Sequence, residues 1–163
     1  MKEAYKNECR TIVENSTYNA ETHHIIADKK KRLSTSFQII PAISTAITGT
    51  IALADYWPTV FGFLTVITAI ITAISNILDP KKAYQNHLNA AKNFTTIKND
   101  ARALCDVFSL KLDEAEFTLR VEEIHRHYNG LVQVAPPTDN KSFEEARKRI
   151  KSGIHEPDFK DNV

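Results

Sequence analysis

The stretch 33–54, LSTSFQIIPAISTAITGTIALA, is followed after Asp55 and Tyr56 by 57–78, WPTVFGFLTVITAIITAISNIL. Neither stretch contains a charged residue. A helix needs about 18 to 20 apolar-compatible residues to cross roughly 30 Å of hydrocarbon, and each stretch exceeds that. At about 1.5 Å per residue the first would extend roughly 33 Å. Core helices of water-soluble domains rarely stay uncharged for that long. The sequence therefore reads as an all-α membrane protein: a two-helix transmembrane hairpin continued into a cytosolic antiparallel helical bundle or coiled coil.

Whole-chain averages conceal this. The mean hydropathy is −0.32 and the formal net charge is +1. All of the 21 basic and 20 acidic residues lie outside the two stretches. With 163 residues in the chain, neither flanking part is large enough for a conventional catalytic domain. The start, Met1 to Asp28, is too polar and too acidic for a secretory signal peptide, so the first apolar run is read as a span.

Orientation follows from the flanks. Lys29, Lys30, Lys31 and Arg32 abut the first stretch, and Lys81 and Lys82 follow the second. Basic residues near span ends are retained on the cytoplasmic side, which predicts a protein of the cell (inner) membrane with both termini cytoplasmic. Tyr56 and Trp57 suit the opposite interface, where amphipathic rings settle. A hairpin folded inside a soluble assembly is the competing reading, and it leaves the lysine runs and the Tyr-Trp turn unexplained. The expected organisation is an N-terminal cytosolic amphipathic helix over 1–32, spans over 33–54 and 59–78, an extracytoplasmic turn over 55–58, a cytosolic helical region over 79–153 and a flexible tail over 154–163.

Outside the spans the period is helical. Tyr5, Cys9, Ile12, Val13 and Ser16 form one stripe, with Asn15 to Thr17 marking a break or adjustment. Pro80 either starts a new helix or tilts the preceding one. Tyr84, Leu88, Ala91, Phe94, Ile97, Ala101, Leu104 and Phe108 then recur at three and four residues, a narrow apolar seam of coiled-coil type. A bend is expected near Lys111 to Asp113 and a stop at Pro136-Pro137. Asp139 to Ser142 reads as a turn and N-cap, and a short basic helix through Arg147 to Lys151 closes at Gly153. That basic helix reads as a solvated face, with anionic headgroups as its other option.

The spans themselves are unusually polar. Thr65, Thr68, Thr72, Ser75 and Asn76 share a face of the second, and Ser34, Gln38, Thr45 and Thr48 share a face of the first. Two readings stand side by side: hydroxyls bonded back to carbonyls with small residues packing helices closely, or polar faces of several hairpins lining an aqueous path. No charge sits in mid-span, which argues against a proton relay or a selective ion site. Pro41 is a hinge candidate, or simply a bend.

No catalytic or metal-binding set is recognisable, and no cofactor or nucleic-acid partner is expected. His125 and His127, like His23 and His24, are spaced to point apart on a helix. Cys9 and Cys105 lie far apart in segments assigned to the cytosol and are expected to be free thiols.

The segment Lys82-Ala83-Tyr84-Gln85-Asn86-His87-Leu88-Asn89-Ala90-Ala91-Lys92-Asn93-Phe94 is followed by Asp100-Ala101-Arg102. Further on stand Tyr128, Leu131, Ala135-Pro136-Pro137-Thr138 and the amphipathic Phe143 to Ile150. With the hairpin, these resemble the SLATT family, two-transmembrane effector domains associated with bacterial SMODS-type nucleotidyltransferases and SLOG sensors. The resemblance covers roughly Tyr5 to Gly153. In the acidic-x-Arg element only Asp100 and Arg102 stand, with alanine between. The resemblance implies a membrane effector of an anti-phage conflict system that forms a pore or disrupts the membrane, and a sensor or nucleotidyltransferase as partner. It attributes no catalytic residues. A pore of two-helix hairpins requires several chains, hence a homo-oligomer. The alternative is a membrane-anchored coiled-coil docking platform for a cytosolic sensor or enzyme, with no pore.

Overall fold

The computed structural model describes residues 2–52 and 58–154. The described elements are helical: α1 (Lys2–Ala52), α2 (Pro58–Leu78), α3 (Pro80–Asp106), a 3-10 turn (Phe108–Leu110), α4 (Glu114–Val134) and α5 (Asn140–Lys151). The chain forms two compact units. One comprises the residues to Ile26 together with those from Asn86 onward, and the other comprises Ala27–Gln85.

The first unit is a helical bundle with its own core. Cys9, Ile12, Ala101, Leu104, Cys105, Phe117 and Val121 form one buried cluster, drawn from α1, α3 and α4. Phe94, Phe117 and Ile12 are among its largest fully buried side chains, and each contributes about 1.5–3 kcal/mol by leaving water. The α1–α3 register is antiparallel: Cys9 meets Ala101 and Cys105, while His23 meets His87. Helix α4 runs back along α3, so Phe94 packs edge-on against Tyr128 with ring centroids 6.2 Å apart. Helix α5 rests on α1 through Tyr18 and Phe143, and through Arg149, which bonds Glu21 at 3.2 Å. Its Ser142 and Ala146 are wholly buried.

Helix ends follow the sequence signals. The Asp113 side chain accepts the Glu116 N–H at 2.8 Å, and Asp139 does the same for Ser142. Each thereby satisfies an amide that has no partner within the helix. Gly153, with φ 85°, ends α5. The Gly153 and Ile154 amides then reach back to the carbonyls of Ile150 and Arg149, the pairing a left-handed residue after a helix permits.

Three local expectations are corrected. First, α1 passes through Asn15–Thr17 without a break, because packing of Ile12 and Ser16 in the core outweighs weak local propensity. Thr17 Oγ1 donates back to the Val13 carbonyl at 2.7 Å. Second, Phe108 does not extend the seam. Helix α3 ends at Asp106, and Phe108 stands in the 3-10 turn, 49% exposed. Third, Cys9 and Cys105 are not apart in space: the antiparallel pairing of α1 and α3 brings their side chains together, with Cα atoms 6.4 Å apart. A separation of 96 residues in sequence says nothing about distance once α1 and α3 run antiparallel.

The second unit contains the later part of α1, all of α2 and the first residues of α3. Pro80 starts α3. Asp79 joins it to α2 in the left-handed region, at φ 37°. Asp and Asn tolerate that conformation better than other non-glycine residues. Asp79 also accepts the Lys82 N–H at 3.0 Å, capping α3.

Candidate functional site

The feature of the second unit that calls for a function is its exposed apolar surface. Ile39, Ile40, Ile43 and Ile47 of α1 are each about half exposed. So are Val66, Ile67 and Ile70 of α2, while Phe63 reaches 69% and Ile77 83%. A soluble monomer seldom exposes more than a few hundred Å² of contiguous apolar surface, so this one needs hydrocarbon or protein to cover it. Among the described residues, one helical run qualifies by length and composition to cross a membrane. It begins at Gly62, has a mean hydropathy of 1.7 over its best window, and none of that window is buried.

Within the unit, the less exposed side chains lie at helical spacing on each helix. On α1 they are Ser34, Phe37, Pro41 and Ser44, and on α2 they are Thr68, Ile71 and Ser75. The polar faces read from sequence are thereby split. Thr68 and Ser75 turn to the sheltered side, while Gln38, Thr45, Thr65, Thr72 and Asn76 are exposed. The Thr48 side chain lies outside the described residues, as do Tyr56 and Trp57. Pro41 sits inside α1, which continues past it to Ala52.

The hydroxyls are satisfied locally. Thr45 Oγ1 donates to the Pro41 carbonyl at 2.8 Å, Thr68 to Leu64 at 2.8 Å, and Thr72 to Thr68 at 2.9 Å. Gln38 donates to Ser34 Oγ at 3.3 Å. These are the back-bonds that let threonine sit in an apolar helix without an exposed donor. Basic side chains flank the apolar stretch in sequence: Lys31, Arg32, Lys81 and Lys82 are exposed, as is Lys29, and Lys30 is half-buried.

The seam of the first unit is placed as follows. Ala91, Phe94, Ala101 and Leu104 are buried, and Leu88 and Ile97 are half-buried. Tyr84, half-buried, belongs to the second unit.

Sequence reasoning missed two polar contacts. His23 Nδ1 and His87 Nδ1 lie 2.9 Å apart in the buried bundle, and His23 stacks on Phe94. Burial, with the neighbouring His87 and His24, lowers the His23 pKa from 6.5 to about 4. His125 Nδ1 lies 2.9 Å from Glu8 on α1. The intrachain spacing of histidines carried no sign of either contact, because both pairs are made across helices.

No curated protein and no solved structure matches the chain. A protein-family comparison matches residues 5–162, nearly the whole chain. The chain, all-α with a long unburied apolar helix, belongs to the SMODS and SLOG-associating 2TM effector domain family 4.

Proposed function

We propose that this chain is an oligomeric membrane effector of a bacterial conflict system, its two apolar helices spanning the bilayer as a hairpin with both termini in the cytoplasm. The observation that carries this is the exposed apolar surface of Ile39 to Ile77, edged by Lys29 to Arg32 and by Lys81 and Lys82. Lipid covers such a surface, and basic edges fix its cytoplasmic ends. The family is described as associating with SMODS and SLOG proteins, so a cytosolic nucleotidyltransferase or sensor is the activating partner in this reading. Helices α1 and α3 each contribute to both units, which gives a rearrangement of the bundle a covalent route to the spans. Two helices enclose no aqueous path, so the leak forms between hairpins of several chains. The exposed polar side chains Thr45, Thr65, Thr72 and Asn76 line it.

A docking platform without a pore is the second reading. It is favoured by Val107, Phe108 and Leu110, which are exposed at the α3–α4 turn, where a partner would bind. A membrane-potential dye in bacteria expressing the full chain separates the two. Depolarisation by the parent alone marks a leak that opens without the partner; Thr72→Lys at equal abundance should then change it several-fold, and Ile70→Leu should leave it unaltered. Correct insertion with no depolarisation by the parent refutes a leak that opens without a partner.

A further inference from the structure

A groove of about 470 Å³ opens between α3, the 3-10 turn and α4. Its apolar lining includes Leu104, Phe108, Leu112 and Ile124. Its charged lining comprises Asp100, Glu116 and Glu123 against the single guanidinium of Arg120. Arg120 is already engaged with Glu123 at 3.4 Å. Asp100 and Glu116 have no ion-pair partner among the described residues. The groove lining is therefore mainly apolar, with three carboxylates against one guanidinium and the imidazole of His127.

Helix α5 presents the complementary chemistry. Its inner face is used within the chain by Ser142, Ala146 and Arg149. Its outer face carries Lys141, Lys148 and Lys151, all exposed and spaced at i, i+7 and i+10. None of the three has an ion-pair partner among the described residues. Ile154, 59% exposed just beyond the end of the helix, supplies apolar contact near Lys151. No residue of α5 lines the groove, so the two surfaces do not meet within one chain.

We infer that the groove of one chain receives the α5 face of a second copy, with Lys148 and Lys151 against Glu116 and Asp100. The contact joins two different surfaces, so it is head-to-tail, and repetition closes a ring if the rotation permits. It rests on the oligomeric reading above and specifies the subunit contact within it. A single twelve-residue helix in a groove buries less than a stable soluble interface needs. Chains confined to one membrane meet at high effective concentration, and each ring contact strengthens the next.

The test uses the full chain in its own membrane, prepared from a mixture of isotopically heavy and light copies. A zero-length carboxyl–amine cross-linker traps paired Glu or Asp and Lys side chains, and mass spectrometry reads which residues are joined. Mixed heavy–light links between Glu116 or Asp100 and Lys148 or Lys151 are expected. They should fall at least ten-fold in Glu116→Lys and in Lys148→Glu, and return when both substitutions are present. Helix content by circular dichroism should stay unchanged in all three variants. Links confined to one isotope, links from Glu116 to a different protein, or no links in an intact oligomer would each overturn the contact. Depolarisation is measured on the same cells: leak without these links overturns only the contact, whereas links without leak overturn only a leak that opens without a partner.

Discussion

The buried His23–His87 pair makes the stability of the bundle depend on pH in a direction that can be worked out. His23 is 2% exposed, its Nδ1 is 2.9 Å from that of His87, and its ring stacks on Phe94 with centroids 5.6 Å apart. With both rings neutral, one Nδ1–H donates and the other nitrogen accepts. Protonating the accepting nitrogen removes the bond and places a charge away from water. The folded chain therefore holds His23 neutral down to about pH 4, while the unfolded chain takes up a proton near the ordinary 6.5. The folded pKa is the lower one, so this contribution is complete above about 6.5 and is lost as pH falls from there toward 4. One differential proton is worth about 1.36 kcal/mol per pH unit, which integrates to roughly 2–3 kcal/mol between about pH 7.5 and pH 4.5. Guanidinium unfolding of the detergent-solubilised full chain, followed by circular dichroism across that range, measures the loss. His23→Gln supplies the reference, because it retains the Glu8–His125 and Glu21–Arg149 contacts and lacks the titrating ring. The parent should lose about 2 kcal/mol more than the variant on acidification. Coincident pH profiles would refute the idea that the fold holds His23 neutral.

Two further expectations concern single residues. Ser16 is fully buried and its Oγ has no partner among the described residues, so Ser16→Ala should raise the unfolding free energy by about 1 kcal/mol, read from the same denaturant curves. Equal or lower stability would mean that the hydroxyl is satisfied. Asp79 combines a left-handed backbone with a cap on α3, so Asp79→Asn should be nearly neutral in thermal unfolding, whereas Asp79→Ala should cost about 1–2 kcal/mol. Equal melting temperatures for the two variants would count against both roles.

What the sequence made legible was periodic or chemical at short range. Ala91, Phe94, Ala101 and Leu104, which share one face of α3 by their three-four spacing, are buried in the bundle. Asp139 caps α5 and Gly153 ends it, because those functions depend on one or two turns of backbone. The illegible features depend on register between helices. Cys9 with Cys105 and His23 with His87 are both set by one antiparallel α1–α3 alignment, and no local pattern encodes that alignment. Phe108 continued the period of α3 in sequence, yet the helix had already ended, and the ring lines a groove instead.

The polar content of the apolar helices has a physical reading that separates hydroxyl from amide. Thr45, Thr68 and Thr72 each donate to the carbonyl one turn earlier, so their protons are satisfied whether lipid, protein or water lies outside. Threonine content alone therefore does not demand an aqueous path. The back-bonded hydroxyl keeps its lone pairs free, and a face built from such groups offers acceptors to water without offering donors. Asn76 differs: its exposed amide has no intrahelical partner among the described residues, and in mid-hydrocarbon it would be costly. It lies two residues before the end of α2, near Lys81 and Lys82, where headgroups and water can satisfy it. The mid-helix threonines can thus tolerate either solvent, whereas a lysine at Thr72 cannot. A charge there is compatible with an aqueous lining and strongly disfavoured against lipid. Insertion of Thr72→Lys at normal abundance, together with altered depolarisation, would mark that face as wetted.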